Sequence, residues 1–291
     1  FDNDGDADVF LSRMTDGGRL YRNLGGFKFE DVTDEMGMAS PGVWGAGCTW
    51  ADVNGDGWVD LYLCAFDAPN RLFMNQEGRG FKDQAKALGL DFKGASMMMA
   101  FSDYDLDGDL DGYLLTNRIP PGEELKDVRF GLVKGPDGEP IIQPEFMQEY
   151  AGIIKYPQGY KKISSGQFDR LYRNDGGTFT EVGKEAGIRE SEFGLSATWW
   201  DYDADGYPDL YVSNDFYGAD HLYRNQGDGT FKDMAPEALP HTPWFSMGSD
   251  VADINNDGLF DYMASDMAGS DHYKEKMSMG NMTGQDSDSW F

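Results

Sequence analysis

The sequence predicts an all-β fold, a β-propeller of four-stranded blades that is incomplete within this chain. Three observations carry that expectation. An acid-rich loop recurs at a period of about 50 residues, a second marker of the type RLYRN runs in step with it, and the stretches between read as short strands bounded by glycine turns.

The first observation is the loop. DVNGDGWVD at 52–60, DYDLDGDLD at 103–111, DYDADGYPD at 201–209 and DINNDGLFD at 253–261 align without gaps. The opening FDNDGDAD is the same unit short of its first Asp, so the chain is expected to begin inside a loop. The full loops open at Asp52, Asp103, Asp201 and Asp253, in steps of 51, 98 and 52 residues. The second marker appears as RLYRN from Arg19, RLFMN from Arg71, RLYRN from Arg170 and HLYRN from His221. The excess in the long step lies between Asp103 and Arg170, which reads as an insertion over 118–166.

Each unit then reads in order as four strands. A Gly-rich strand such as GAGCTWAD enters the loop and one such as DLYLCAF leaves it. RLYRN, a tight glycine turn and a strand such as FKFEDV follow. The expected division is part of a blade over 1–38, blades over about 43–90, 94–189 and 194–238, and half a blade over 245–291. A propeller protects its edges by closing its ring, so the parent chain is expected to continue past Phe291.

Composition narrows the function classes. The 291 residues, 40% hydrophobic and 14% aromatic, suffice for a large core. A charge of −28, from 52 acids against 24 bases, repels nucleic acid and anionic lipid. No apolar run approaches the ~18 residues of a membrane helix, so no membrane insertion is expected. The three histidines, His221, His241 and His272, stand far apart, which leaves zinc chemistry and a His-based triad unsupported. There is no GxSxG, P-loop or dinucleotide fingerprint.

Acids at places 1, 3, 5 and 9 with glycine at place 6 can wrap one hard cation, place 7 adding its backbone carbonyl. An all-oxygen set suits Ca²⁺. The expected ligands, one cation per loop, are Asp2, Asp4, Asp6 and Asp8; Asp52, Asn54, Asp56, Trp58 and Asp60; Asp103, Asp105, Asp107, Asp109 and Asp111; Asp201, Asp203, Asp205, Tyr207 and Asp209; and Asp253, Asn255, Asp257, Leu259 and Asp261. An EF-hand needs Glu at place 12, where Leu63, Leu114, Val212 and Ala264 stand. A plain Asp-Gly hairpin turn explains one such loop, but not acids at the same places in every copy.

DVNGDGWVDLYL, with the GAG strand before it and the RLYRN marker after it, resembles the FG-GAP/VCBS-type repeats, calcium-loop propellers related to the integrin α-subunit head. DRLYRNDGGTFTEVGKEAGI and SDMAGSDHYKEKMSMGNM resemble more narrowly the bacterial relatives of cartilage acidic protein, the ASPIC/UnbV group. That resemblance implies a secreted or cell-envelope protein, a seven-bladed ring in many members, and a binding role more often than catalysis. The loops join the first two strands of each blade, so their calcium is expected to be structural, and the leading expectation is a module that binds a protein or glycan.

Three further expectations concern single features. The insertion carries KYPQGYKK at 155–162 on the face away from the acid loops. It reads as a ligand-contacting arm or as a packed decoration. Its Lys155, Tyr156, Tyr160, Lys161 and Lys162 are the one cluster fit for a calcium-dependent polysaccharide lyase, the alternative to a binding module. Symmetric pairing about the first full loop sets Cys48 opposite Cys64, matching Met99/Leu115, Ala197/Ser213 and Ser249/Ser265. A disulfide and two free thiols both remain open there. MMMAFSDYD, Trp199 and Trp200 read as core between blades, and Asn117, Asn214 and Asp215 as turn formers more than ligand contacts.

Overall fold

The fold follows from strands that are apolar on both faces. The computed structural model describes residues 1–119, 132–135, 138–142, 152–156, 159–163, 166–188, 191–215, 218–243 and 245–267. Most of the expected insertion, and the last part of the expected half blade, lie outside these residues.

Blade one contains β1 (Val9–Arg13), β2 (Gly17–Asn23) and β3 (Phe29–Asp31). Blade two contains β4 (Trp44–Ala51), β5 (Asp60–Pro69), β6 (Arg71–Asn75) and β7 (Phe81–Asp83), followed by one helical turn, α1 (Ala85–Leu88). Blade three begins with β8 (Lys93–Ser102) and β9 (Asp111–Thr116). Two hairpins follow, β10 (Leu132–Lys134) with β11 (Pro140–Ile142), and β12 (Gly152–Tyr156) with β13 (Gly159–Ile163). The blade resumes with β14 (Arg170–Asn174), β15 (Phe179–Glu181) and α2 (Gly183–Ala186). Blade four is β16 (Gly194–Trp200), β17 (Asp209–Asn214), β18 (His221–Asn225), β19 (Phe231–Asp233) and α3 (Ala235–Ala238). A final pair, β20 (Ser246–Ala252) and β21 (Asp261–Asp266), opens blade five.

Every pairing is antiparallel, and blade four shows the unit alone as a four-stranded sheet ordered β16-β17-β18-β19. Blades two and three share one sheet, because the end of β5 bends across to pair with the start of β8, Phe66 opposite Ala95.

Alternation along the second strand decides which neighbour each side chain meets. Leu61 and Leu63 join Leu20, Val32 and Phe73 on the blade-one side, whereas Tyr62 and Cys64 join Leu90, Leu114 and Tyr172 on the blade-three side. Tyr113 and Leu115 likewise meet Leu210, Val212 and Tyr223 of blade four. The blades therefore stand face to face, and the core is a series of layers between them. Met99 lies fully buried in one such layer, and Trp199 stacks on Tyr104 at 6.3 Å in the next. Trp200 stacks on Tyr262 of blade five at 5.4 Å, so both tryptophans are inter-blade core.

First strands lie side by side: β8 neighbours β4 and β16, and β16 neighbours β20. Glycine is required where β4 approaches its neighbours. A Cβ on Gly45 would sit 2.1 Å from the Gly17 carbonyl oxygen, and one on Gly47 would sit 2.1 Å from that of Met97.

The register corrects the cysteine expectation. Ala51 pairs with Asp60, so Cys48 stands opposite Leu63 rather than Cys64. The same one-residue offset sets Met99 opposite Leu114, Ala197 opposite Val212 and Ser249 opposite Ala264. A one-residue slip sends a side chain to the other face. Cys48 therefore packs on the blade-one side and Cys64 on the blade-three side, and both thiols are free.

Candidate metal loops

Each loop is held by the same backbone hydrogen bonds. In the four full copies the place-1 carboxylate accepts the N–H groups of places 5 and 6: Asp52 from Asp56 and Gly57, Asp103 from Asp107 and Gly108, Asp201 from Asp205 and Gly206, and Asp253 from Asp257 and Gly258. The place-5 carboxylate accepts the place-7 N–H: Asp4 from Asp6, Asp56 from Trp58, Asp107 from Asp109, Asp205 from Tyr207, and Asp257 from Leu259. Place 4 is left-handed in all five, with φ of 58° at Asn3, 68° at Gly55, 62° at Leu106, 58° at Ala204 and 60° at Asn256. Two of those residues, Leu106 and Ala204, adopt this conformation against their own steric preference.

Place 9 fastens the loop to its blade. One oxygen of Asp60, Asp111, Asp209 or Asp261 accepts the place-2 N–H. In the first four blades the other oxygen accepts the N–H of the Asn that ends the RLYRN marker: Asn23 to Asp8, Asn75 to Asp60, Asn174 to Asp111 and Asn225 to Asp209.

The side chains of these asparagines tie the marker to its surroundings as well. Each Oδ1 accepts an N–H from the glycine turn after it. The Nδ2 donates to the place-8 carbonyl of its own loop, at Ala7, Val59, Leu110 or Pro208. In three blades it also reaches the place-2 carbonyl of the preceding loop: Asn75 to Phe1, Asn174 to Val53 and Asn225 to Tyr104. The available signal was the unchanged Asn in all four markers.

The carboxylates crowd one another. Oxygens of Asp103, Asp105 and Asp111 lie within 4.8 Å of one another, as do those of Asp201, Asp203 and Asp209. Burial pushes the Asp111 carboxyl up to about 7, and Asp105 and Asp107 add to the rise. Asp60 and Asp209 are pushed up to about 6, also chiefly by burial. Asp105 is raised by burial and then by Asp107, and its Oδ1 is buried without a hydrogen-bond partner. Oxygen donors at such separation, one of them orphaned, fit a hard cation. The loops at 52 and 253 carry Asn54 and Asn255 at place 3, and the opening loop has no place 1.

The far end of each blade treats its buried polar residue differently. Asp169 accepts the Tyr113 hydroxyl at 2.6 Å and the Thr116 N–H at 2.6 Å. Asp220 accepts the Tyr211 hydroxyl at 2.6 Å and the Asn214 N–H at 2.8 Å. In blade two the same corner is neutral: Asn70 accepts the Ala65 N–H and donates to Tyr62 and Ser96. Asn117 and Asn214 also lie here, donating to the Gly194 and Ala219 carbonyls as structural ties. His221 bridges Asp233 at 2.9 Å and Glu192 at 3.9 Å. Burial alone would lower it, but the two acids carry it up to about 10. It therefore serves as the cation that Arg71 supplies to Asp83 in blade two. The insertion's Lys155 stands opposite Tyr160 in the β12–β13 hairpin, Lys161 opposite Ile154 and Lys162 opposite Ile153.

Repeated four-stranded blades with an Asp-rich loop between the first two strands define part of a β-propeller by architecture. The chain matches the FG-GAP-like repeat family over residues 1–63, 52–114 and 201–264, more than half its length, and belongs to that family. Similar proteins include cartilage acidic protein 1 of Mus musculus and of Homo sapiens, each 24% identical over 250 residues. Those matches cover 84% of this chain but 32% of each relative, so the chain spans about a third of their length. Among solved structures, an Agrocybe aegerita lectin, described as recognising non-reducing terminal N-acetylglucosamine, aligns with 90% of this chain and 71% of its own. The identity is 16% and the TM-score 0.36, too loose a superposition to carry an argument about fold or ligand. No helix among the described residues is long and apolar enough to cross a membrane.

Proposed function

We propose that this chain is part of a calcium-stabilised propeller that binds a protein or glycan, with the calcium structural and the setting extracellular or in the cell envelope. The observation that carries the calcium reading is the blade-three loop, where three crowded carboxylates include a buried oxygen without a partner. Asp103, Asp105, Asp107 and Asp111 would hold the cation there with the Asp109 carbonyl, and Asp201, Asp203, Asp205 and Asp209 with the Tyr207 carbonyl in blade four. A bound divalent cation relieves the repulsion among these acids and ties the first two strands of the blade together. Extracellular modules of this chemistry bind calcium with dissociation constants of roughly 10⁻⁴–10⁻³ M, so millimolar calcium keeps them filled. The name of the cartilage relatives agrees with an extracellular setting. The binding role rests on membership of a repeat family whose loops stabilise a scaffold, leaving the opposite face free for a ligand.

A thermal melt in millimolar calcium and then in chelator tests the metal. A rise in midpoint of several degrees with calcium is expected, and an unchanged midpoint would reduce the loops to acidic turns. Glycan and surface-protein arrays probed in calcium test the binding role, which predicts saturable binding to one class of ligand that is lost in chelator.

A further inference from the structure

We propose that the arginine in the fourth place of the RLYRN marker is a resident counter-cation that sets how strongly each acid loop depends on a bound metal. This inference rests on the calcium reading and deepens it, by ranking the loops and naming the residue that ranks them.

In blade four the Arg224 guanidinium grips two expected ligands: Nε lies 2.5 Å from Asp203 Oδ2 and Nη2 lies 2.7 Å from Asp205 Oδ2. In blade one Arg22 Nε lies 3.1 Å from Asp2, again the place-3 acid. Blade two has Met74 where these arginines stand, and there place 3 is Asn54, whose amide donates to Asp56. Where the arginine is missing, the acid it would meet is missing as well. The charges at places 1, 3, 5 and 9 then agree once the marker is included. Blade two carries three acids (−3), and blade four carries four acids and one arginine (−4 + 1 = −3).

Blade three breaks the match. Its loop has all four acids, yet Arg173 is committed to Asp175, Nε and Nη2 each 3.0 Å from a carboxylate oxygen. Asp105 Oδ1 is buried without a hydrogen-bond partner, as is Asp2 Oδ1 in blade one, but Asp105 has no guanidinium on its other oxygen, and Arg173 acts on it only at longer range. At short range in partly desolvated surroundings one unit charge matters to a divalent cation, although salt screens it. The blade-three loop is therefore the tightest site and the one most destabilised when empty. The blade-four loop must have a guanidinium displaced before it fills, but is braced when it is empty.

The test is calorimetric calcium titration of the whole chain as wild type, Arg224→Met, Arg224→Gln, Asp203→Asn and the Asp203→Asn/Arg224→Met double variant, with melts in chelator. Either Arg224 variant is expected to tighten one site about two- to fivefold while lowering the metal-free midpoint. Asp203→Asn alone should weaken that site. The double variant, which copies the Asn54/Met74 pair of blade two, should return near the wild-type affinity. If both Arg224 variants bind calcium as wild type does, or more weakly, the arginine is an ordinary surface ion pair and the proposal falls while the calcium reading stands. If wild type and variants all bind no calcium, both fall together.

Discussion

The two ends of the same strands use buried acids in opposite ways. At the loop end Asp111 shares its space with Asp105 and Asp103, and like charges add to the burial that raises it. At the far end Asp169 is raised to about 7 as well, by burial, but there a tyrosine hydroxyl and the N–H and hydroxyl of Thr116 pull the other way. At the far end Asp169 and Asp220 each accept a tyrosine hydroxyl and a backbone N–H, whereas at the loop end the acids also face one another. Blade two shows that the far corner needs no charge, since Asn70 fills it. Repetition of aspartate along a sequence therefore has two meanings, told apart by what donates to it.

The largest expected effect separates the ends by pH. Asp60, Asp111 and Asp209, at about 6 to 7 in the folded protein, lie above the ~3.9 of an unfolded Asp. Their contribution is full below about pH 4 and is lost as pH rises through 7. In chelator, stability from urea melts should fall over that window. In calcium the loop share should vanish or reverse, because the metal takes the ionised form, leaving the smaller fall that Asp169, also raised to about 7, contributes in both media. An equally steep fall in both media would break the contrast.

Next in size is Asn225→Ala, which strips donors from the Tyr104 and Pro208 carbonyls and an acceptor from Gly227. A loss of about 2–3 kcal/mol in urea-denaturation stability is expected, with and without calcium. Asp169→Asn should give a gain on the order of 1 kcal/mol at pH 8 by removing a buried ionisation, and should leave the calcium-induced shift in midpoint intact. The smallest is Leu106→Gly. This exposed residue at φ 62° loses little packing, so relief of its backbone should stabilise by about 0.5 kcal/mol, read as a higher melting midpoint.

Much of this was legible in the sequence because it repeats. The period, the order of strands within a unit, and the glycine turns beside the acid loops all follow from aligned residues. Gly176, for instance, donates its N–H to Asp109, joining turn and loop. Register was not legible. Reflecting the strands about the aspartates assumed that Asp52 pairs with Asp60, but Asp52 turns inward to accept two N–H groups and Ala51 takes the pairing position. The inter-blade asparagines were also hidden, since a short spacing within one unit says nothing of a carbonyl in the unit before. Arg224 and Arg173 occupy the same place in the marker yet hold different acids, because blade three has Asp175 directly after its marker and blade four has Gln226.

The asparagine that reaches back to the previous loop also fixes a schedule for synthesis. Asn75 and Phe1 are 74 residues apart, whereas Asn174 and Val53 are separated by 121, as are Asn225 and Tyr104. The difference, 121 − 74 = 47 residues, comes from the long segment inside blade three, which lies within both of the later intervals. A ribosome adding about 5–20 residues per second makes each of those two carbonyls wait roughly 6–24 s for its donor. During that delay the earlier loop is made but the side chain that ties it to the next blade is not.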